Sequence, residues 1–337
     1  NLLKKDGFGI GKKKDLKKIP DAIPYVTSYY KKRWGFCIKY KEYKKLKRGN
    51  YNVHIDSKFK KKGYLTYGEC YFPGKSKKEI LFSTNICHPS MANNELSGII
   101  IAMAVAKFLG KRERKYSYRV IFIPETIGAI NYIHDNYQNL RQNLKAGFVL
   151  ACLGDNGKFS YIPTPAGNTI ADNIVLKVLK KSYSNFTKYT WLDRGSDERQ
   201  FCSPLINLPV VCISKSKFGK YKEYHTSLDN LNFISQKGLT KSFSMIKKCI
   251  NLLENNIYYI KKKPCETFLT KHNLIDTTNF FYKNKKMNIK TYIISNILSF
   301  CDGKNDIEDI SKKCRLSISK TNTYLNLLEK KKIIEKN

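Results

Sequence analysis

The amino-acid sequence predicts an α/β fold, and two observations support this prediction. From residue 79 onward, short apolar segments of strand length alternate with longer segments of helical periodicity. The 337 residues are 42% hydrophobic and 13% aromatic, which is enough apolar material for a sizeable core despite a net charge of +36. Alternation of this kind is typical of a sheet that carries helices on both faces.

Each element of the alternation is bounded by polar or turn residues. The predicted strands are short and apolar, and the predicted helices have small or apolar residues on one broad face. The strands are expected at 79–87, 118–123, 146–153 and 208–214, and the helices at 95–109, 127–137, 168–181 and 236–255. Ligand and catalytic residues of such folds lie at the carboxyl ends of the strands, so we searched those ends for a site.

Two further domains flank this alternation. Residues 1–75 are rich in Lys, Tyr and Gly and predict a small β-rich lobe, with strands at 34–40, 51–55 and 64–72. Near the other end, helical patterns at 289–301, 307–314 and 318–330 and a terminal strand resemble a winged helix-turn-helix. The predicted domains are therefore 1–75, 76–260 and 265–337. Because the first residue is Asn, we expect upstream sequence to be missing from the lobe.

The charge is unevenly distributed. Residues 1–80 carry 23 Lys or Arg against 7 Asp or Glu, whereas residues 301–337 carry 9 against 6. The helix that would enter a DNA groove in a winged helix, 318–330, offers Lys320, Asn322 and Tyr324 but little net charge. We therefore interpret most of the charge as background composition, with nucleic-acid binding kept as an alternative function.

The sequence also indicates a location. The most apolar stretch, 96–110, contains Lys107 and is too short to span a bilayer, and no secretory signal is recognisable at the start. The ten cysteines form no CxxC pair. We therefore expect a cytoplasmic protein with reduced thiols and no membrane contact.

Polar residues that could carry chemistry follow the predicted strands. His88 follows the first strand, Glu125 the second and Asp155 the third, and His225 lies further along the chain. Imidazole nitrogens and carboxylates are the ligands of catalytic zinc, and an additional Glu commonly serves as the base that activates a zinc-bound water. Together the four residues predict a metal-dependent hydrolase.

Each of these residues also has a structural interpretation. A single His is more often a hydrogen-bonded structural residue than a ligand, and Glu125 could cap the helix that follows it. Asp155 lies in a Gly-Asp-Asn-Gly sequence that a tight turn could use, and Asp197 could cap or brace a loop. The sequence alone leaves these alternatives open.

Several short motifs, taken together, resemble the zinc aminopeptidase superfamily, which includes di-zinc aminopeptidases, glutamate carboxypeptidases and glutaminyl cyclases. More specifically, the chain resembles a branch with an aminopeptidase-like core, a β-rich insert and a C-terminal winged helix. The resemblance implies a mixed sheet with helices on both faces. The motifs are Tyr29-Tyr30, Trp34-Gly-Phe-Cys37, Cys87-His-Pro-Ser90, Asn94-Glu-Leu-Ser-Gly98, Pro124-Glu-Thr-Ile-Gly128, Gly195-Ser-Asp-Glu-Arg199 and Glu223-Tyr-His-Thr-Ser227.

The resemblance assigns roles to four residues. It implies that His88 is the first metal-binding histidine and His225 the last, and that Glu125 is the general base. Asp155 lies close to the remaining acidic ligand, though not in perfect register with it.

Three positions depart from the family pattern. Asn94 stands where the metal-bridging Asp is expected, Thr126 where a second acid is expected, and Ser90 where an Asp orients the first histidine. A neutral amide cannot bridge two dications as a carboxylate does. We therefore expect at most one tightly bound zinc, on His88, Asp155 and His225, with Glu95 or Glu125 as a possible substitute ligand.

These inferences predict a hydrolase of an amide or peptide bond in which Glu125 activates zinc-bound water. Arg199, Tyr224 and Asp197 would contact a small-molecule or peptide-like substrate. Two alternatives remain: a catalytically degenerate protein that binds a small molecule or regulates a partner, and a nucleic-acid-binding protein. A homo-oligomer formed through the winged helix is a further expectation.

Overall fold

The computed structural model of the chain describes residues 18–26, 35–58, 60, 62–275 and 289–336. The chain forms two compact units, residues 1–251 and residues 252–337.

The first unit is built on a mixed seven-stranded sheet. In spatial order its strands are β1, β3, β2, β4, β7, β5 and β6. The neighbouring pairs β3/β2, β2/β4, β4/β7 and β5/β6 are parallel, whereas β1 and β5 run antiparallel to β3 and β7. The strands are β1 Gly68–Phe72, β2 Ser76–Asn85, β3 Tyr116–Ile123, β4 Leu144–Leu150, β5 Phe159–Ile162, β6 Phe186–Lys188 and β7 Val210–Ser214.

Both faces of this sheet are buried. On one face Leu81, Ile121 and Val149 pack in a core cluster. On the other face the ring of Phe82 stacks on those of Tyr118 and Phe148, at centroid distances of 6.4 and 5.2 Å. Every residue of β7 is buried, as expected for a central strand of a sheet that is covered on both faces.

Helices supply the cover on the two faces. One of them begins as a π-helical turn, Ala92–Leu96, and buries Ile101, Ala102, Val105 and Leu109 along its inner side. Another caps its first turn with a reciprocal pair of hydrogen bonds between Thr169 and Asp172. The helices of this region are α1 Tyr40–Tyr43, α2 Ser97–Leu109, α3 Ile127–Asn143, α4 Ile170–Ser182, α5 Glu198–Phe201 and α6 Gln236–Asn255.

The fold predicted for this core, an α/β fold with helices on both faces of a mixed sheet, is confirmed. The predicted helix at 236–255 has the observed bounds, and the four predicted strands correspond to β2, β3, β4 and β7. The short strands β5 and β6, with four and three residues, were not predicted.

The region before residue 76 differs from the sequence-based expectation. Residues 51–55 form no strand, and the described residues of the predicted strand 34–40 begin a helix at Tyr40 instead. Part of the predicted strand 64–72 is present as β1, which joins the seven-stranded sheet. Residues 1–17 and 27–34 lie outside the described residues, so the separate lobe at 1–75 stays a prediction.

The second unit has a core of its own. Helices α7 Ile289–Ser299, α8 Ile307–Cys314 and α9 Ile318–Lys330 surround buried apolar residues, and strand β8 Tyr259–Lys261 pairs antiparallel with β9 Ile334–Lys336. Asp306 caps α8 and Ser317 caps α9. The order of three helices and a strand is the predicted one, and the assignment to a winged helix stays a prediction.

One helical segment of the described residues, Ala92–Leu109, is long and apolar enough to cross a membrane. About half of it, 56%, is buried inside the protein. A core helix of an α/β protein can have the same length and composition, so a single segment of this kind is weak evidence for a membrane span.

Candidate functional site

The candidate site lies at the carboxyl ends of β2 and β3. His88 follows the end of β2 by three residues, and Glu125 follows the end of β3 by two. Because β2 and β3 are parallel neighbours, their carboxyl ends meet at one edge of the sheet. The loop after β7 brings His225 to the same edge, where its ring centroid lies 5.1 Å from that of His88.

Three of the predicted residues come together here. His88 Nε2 lies 3.7 Å from the Oε2 atom of Glu125. The Nε2 atom of His225 is buried and has no hydrogen-bond partner among the described residues. The site therefore combines two imidazoles and one carboxylate, all of them zinc-ligand types.

Glu95 holds His88 from the side opposite Glu125. It is 3% exposed, and its Oε2 atom lies 3.1 Å from His88 Nδ1. Its Oε1 atom accepts hydrogen bonds from the backbone N–H groups of Cys87 and His88. Glu95, expected from the sequence only as a substitute ligand, thus contacts both the ring and the backbone of His88.

Cys87, His88 and Glu95 also form a group that could hold a metal ion, with ligand atoms within 4.8 Å of one another. Cys87 Sγ lies 3.3 Å from His88 Nδ1 and accepts a hydrogen bond from the backbone N–H of Glu125 at 3.1 Å. The thiol of Cys87 was not predicted to be part of the site.

The segment before residue 27 contributes a residue that sequence reasoning missed. The ring of Tyr25 lies 5.6 Å from that of His88 and 5.4 Å from that of His225. Its backbone N–H donates to the carbonyl of His225 at 2.8 Å. Tyr224, a predicted substrate contact, stacks on the His225 ring at 4.0 Å. The two histidines are thus flanked by tyrosine rings.

The charged residues predicted to contact substrate lie beside Glu125. Arg199 donates from Nη2 to the Thr126 hydroxyl at 2.7 Å, and the Oδ1 atom of Asp197 accepts the backbone N–H of Thr126 at the same distance. Thr126 has a φ of 65°, a left-handed conformation that is uncommon for a β-branched residue. Asp197 thus braces the backbone next to Glu125, as its structural interpretation suggested.

Asp155 is 2% exposed, and both of its carboxylate oxygens are engaged in structural hydrogen bonds. Its Oδ2 atom accepts from the Asn93 side chain at 2.9 Å, and its Oδ1 atom accepts from the Ser216 hydroxyl at 2.9 Å. It is not a member of the Cys87, His88 and Glu95 group. Its role as a metal ligand stays a prediction.

The three departures from the family pattern also have defined environments. Ser90 is exposed, has a φ of 62° and makes no hydrogen bond to His88 within the described residues. Asn94 is buried, and its backbone N–H donates to Asp229 at 3.0 Å. The motif residues Tyr29, Tyr30 and Trp34 lie outside the described residues.

Burial and neighbouring charge shift the pKa values of the site. Burial opposes protonation of His88, but hydrogen bonds to Cys87 and Glu95 prevail and raise its pKa to about 10. Burial and the charge of His88 lower the pKa of His225 to about 4. Burial raises the pKa of Glu125, although the charges of His88 and Arg199 oppose the rise. Shifted values in one cleft are typical of functional sites.

Comparisons with known proteins agree with this fold. Residues 15–256 match the family described as "Domain of unknown function (DUF4910)". A Clostridium acetobutylicum protein described as "Putative polysaccharide biosynthesis protein with aminopeptidase-like domain" is 40% identical over 294 residues, which are 87% of this chain and 66% of that protein. The chain thus spans slightly less than two thirds of the length of this relative.

Solved structures support the fold. The crystal structure of a "putative peptidase" from Clostridium acetobutylicum is 37% identical, with a TM-score of 0.71 over 94% of this chain and 71% of the other. A zinc aminopeptidase from Bacillus subtilis is 14% identical, with a TM-score of 0.49 over 55% of this chain and 49% of the other, which is too distant to inform the chemistry. The fold is peptidase-like, and the predicted resemblance to the aminopeptidase superfamily is confirmed.

Proposed function

We propose that this chain, which belongs to the family described as Domain of unknown function (DUF4910), is a metal-dependent hydrolase of an amide or peptide bond. The observation that carries the proposal is the convergence of His88, His225 and Glu125 at one edge of the sheet. The aminopeptidase-like domain named for the Clostridium relative supports the same reaction class.

The two histidines offer ligand atoms of the type that a single zinc ion takes. The Nε2 atom of His225 is buried without a partner in the described part of the chain, and such an atom is costly unless something satisfies it. The ring centroid of His88 lies 5.1 Å from that of His225, and the Nε2 atom of His88 lies 3.7 Å from Glu125 Oε2. We therefore propose that His88 and His225 hold the metal. Asp155 would have to give up hydrogen bonds to Asn93 and Ser216 in order to join them.

Glu125 is the proposed base. When bound, zinc would polarise the substrate carbonyl and acidify a water molecule. The Glu125 side chain is 24% exposed, so a substrate can reach it, and burial raises its pKa toward the range in which a carboxylate takes up and releases a proton. The neighbouring Arg199 keeps a positive charge beside this carboxylate.

The substrate would be recognised next to the metal. Arg199 and Tyr224 flank the site and suit a polar or anionic group. Peptides are the first class to test. Because the Clostridium relative is described as a polysaccharide biosynthesis protein, we also propose N-acylated amino sugars as test substrates.

Metal analysis and a charge-removing variant test this function. Purified protein is expected to contain one zinc per chain, and Glu125→Gln is expected to keep the metal and lose activity by about 100-fold or more. The matched control is Glu79→Gln, which removes a buried carboxylate paired with Arg119 at the other end of β2. Metal-free protein whose melting temperature does not respond to zinc, or full activity of Glu125→Gln, would overturn the proposal.

A second candidate function rests on Asn94. This neutral side chain is buried at the position where the family pattern calls for a metal-bridging acid, which favours a protein that binds a small molecule without turnover. That function predicts no hydrolysis of amide libraries in the presence of zinc, together with a raised melting temperature on ligand binding.

A further inference from the structure

We propose that Glu95 is the positioning residue of His88, and that its carboxylate fixes the imidazole so that Nε2 is presented to the metal. The proposal rests on the function proposed above, because it assigns a metal to His88. It differs from the sequence-based expectation, in which Glu95 was a substitute ligand.

Glu95 is itself rigidly held. It lies in the π-helical turn Ala92–Leu96 and is 3% exposed. Asp229 fixes this turn by accepting the backbone N–H groups of Asn93 and Asn94, at 2.6 and 3.0 Å. The Oε1 atom of Glu95 accepts the N–H groups of Cys87 and His88, so the same carboxylate holds both the backbone and the ring of His88.

The other carboxylate oxygen of Glu95, Oε2, faces Nδ1 of His88 and holds a proton on that nitrogen, which leaves Nε2 to the metal. Oε2 of Glu95 lies 3.1 Å from Nδ1 of His88, so Nδ1–H donates to the carboxylate. Nε2 then faces Glu125, 3.7 Å away, and the ring centroid of His225 lies 5.1 Å from that of His88. A carboxylate on the far nitrogen of a metal-binding histidine fixes its tautomer and its orientation, and this is the relation that Glu95 has to His88.

A rival arrangement is that Cys87, His88 Nδ1 and Glu95 bind the metal themselves. Two contacts argue against it. Oε1 of Glu95 already accepts two backbone N–H groups, and Sγ of Cys87 accepts the backbone N–H of Glu125. The rival requires a metal–sulfur bond, whereas our proposal requires none.

Three measurements on the full chain distinguish the arrangements. Cobalt-loaded wild-type protein is expected to show no thiolate charge-transfer band. Nitrogen NMR of the zinc-loaded wild type is expected to find a proton on His88 Nδ1 and none on Nε2. Glu95→Gln is expected to lose this proton, because the Gln amide N–H would face Nδ1 while its oxygen keeps the backbone bonds. The affinity for zinc should then fall by about 10- to 100-fold.

Two further variants complete the test. Glu95→Asp keeps the charge and is expected to restore part of the zinc affinity, and the control Glu79→Gln is expected to change neither the zinc affinity nor the Nδ1 proton. A charge-transfer band that Cys87→Ser abolishes would establish the rival. An unchanged zinc affinity and Nδ1 proton in Glu95→Gln would also overturn the proposal.

Failure of this proposal can be told apart from failure of the proposed function. If the wild-type protein binds neither zinc nor cobalt, the function fails, and the assignment of a metal-positioning role to Glu95 fails with it. If metal binds but His88 Nδ1 carries no proton, the function stands and only the role of Glu95 is wrong. Should Glu95→Gln fail to fold, the two wild-type measurements decide the question.

Discussion

At the scale of single residues, strained backbone surrounds the candidate site. Ser90, Thr126 and His225 have φ values of 62°, 65° and 53°, a region that side chains other than glycine seldom occupy. Such conformations persist only where neighbouring contacts enforce them, and they cluster at functional sites. At Thr126 the enforcing contacts come from Asp197 and Arg199.

The contribution of Asp197 to the stability of the folded protein depends on pH, because its carboxyl group is buried. Burial and the charges of Glu125 and Glu198 raise its pKa to about 8, although its hydrogen bond from Thr126 opposes the rise. The pKa of an unfolded Asp is about 3.9, so between pH 4 and 8 the folded state binds more protons than the unfolded state. This group therefore makes the protein less stable as the pH rises through that window.

Asp197→Asn is expected to remove this dependence. Asn keeps an oxygen for the Thr126 N–H and cannot ionise, so the stability of the variant relative to the wild type should increase from pH 4 to pH 8 and then level off. Urea unfolding at a series of pH values measures this stability difference. The control is Asp135→Asn, which changes an exposed carboxylate. A stability difference that does not change with pH would show that Asp197 is ionised throughout.

The sequence could predict which residues of the site follow strands, and it could not predict which residues support them. His88 and Glu125 were found because each follows an apolar strand. Glu95 was not recognised as a partner of His88, because its π-helical turn departs from helical periodicity. Tyr25 was missed since its contact with His225 joins parts of the chain 200 residues apart.

At the scale of elements, length separates the four central strands that were predicted from β5 and β6, which were not. The central strands are apolar because both faces of the sheet are covered, and their sequence shows it. The sequence at 51–55 resembles that of a strand, yet Tyr51 is 58% exposed and residues 51–55 form no strand. The short strands β5 and β6 are fixed by their pairing in the sheet and carry little pattern of their own.

The segment around Tyr25 is held to the His225 loop by three hydrogen bonds. Tyr25 N–H donates to the His225 carbonyl, Ser227 N–H donates to the Ile23 carbonyl, and Ile23 N–H donates to the Ser227 hydroxyl at 3.0 Å. Only the last of these depends on a side chain. Removing the Ser227 hydroxyl should therefore weaken the attachment of the segment to the His225 loop, while the two backbone hydrogen bonds remain.

Ser227→Ala is expected to speed hydrogen exchange at the Ile23 and Tyr25 amides by about fivefold, the equivalent of about 1 kcal/mol for one hydrogen bond. The control is Ser299→Ala, which removes a hydroxyl bonded to Ser295 on α7 and should leave these amides unchanged. Equal exchange rates in the Ser227 variant and the wild type would show that the two remaining backbone bonds hold the segment alone.

At the scale of the whole molecule, two core clusters of the described residues have no member in common. The core cluster around β3 and α3 draws on residues of the first unit, and the cluster around α7, α8 and α9 draws on residues from 259 to 334. Parts of one chain that have separate core clusters can unfold with different free energies.

Leu328→Ala tests this separation. Leu328 is fully buried in the second core, and its truncation is expected to cost about 2–5 kcal/mol. Hydrogen exchange should therefore rise in α7, α8 and α9 and stay unchanged in β2 and β4, and the affinity of the candidate site for zinc should be unaffected. The control is Ile318→Ala on the same helix, where the side chain is 53% exposed and the change should be within about 0.5 kcal/mol. Loss of protection in β2 and β4, or weakened zinc binding, in the Leu328 variant would show that the two cores unfold as one.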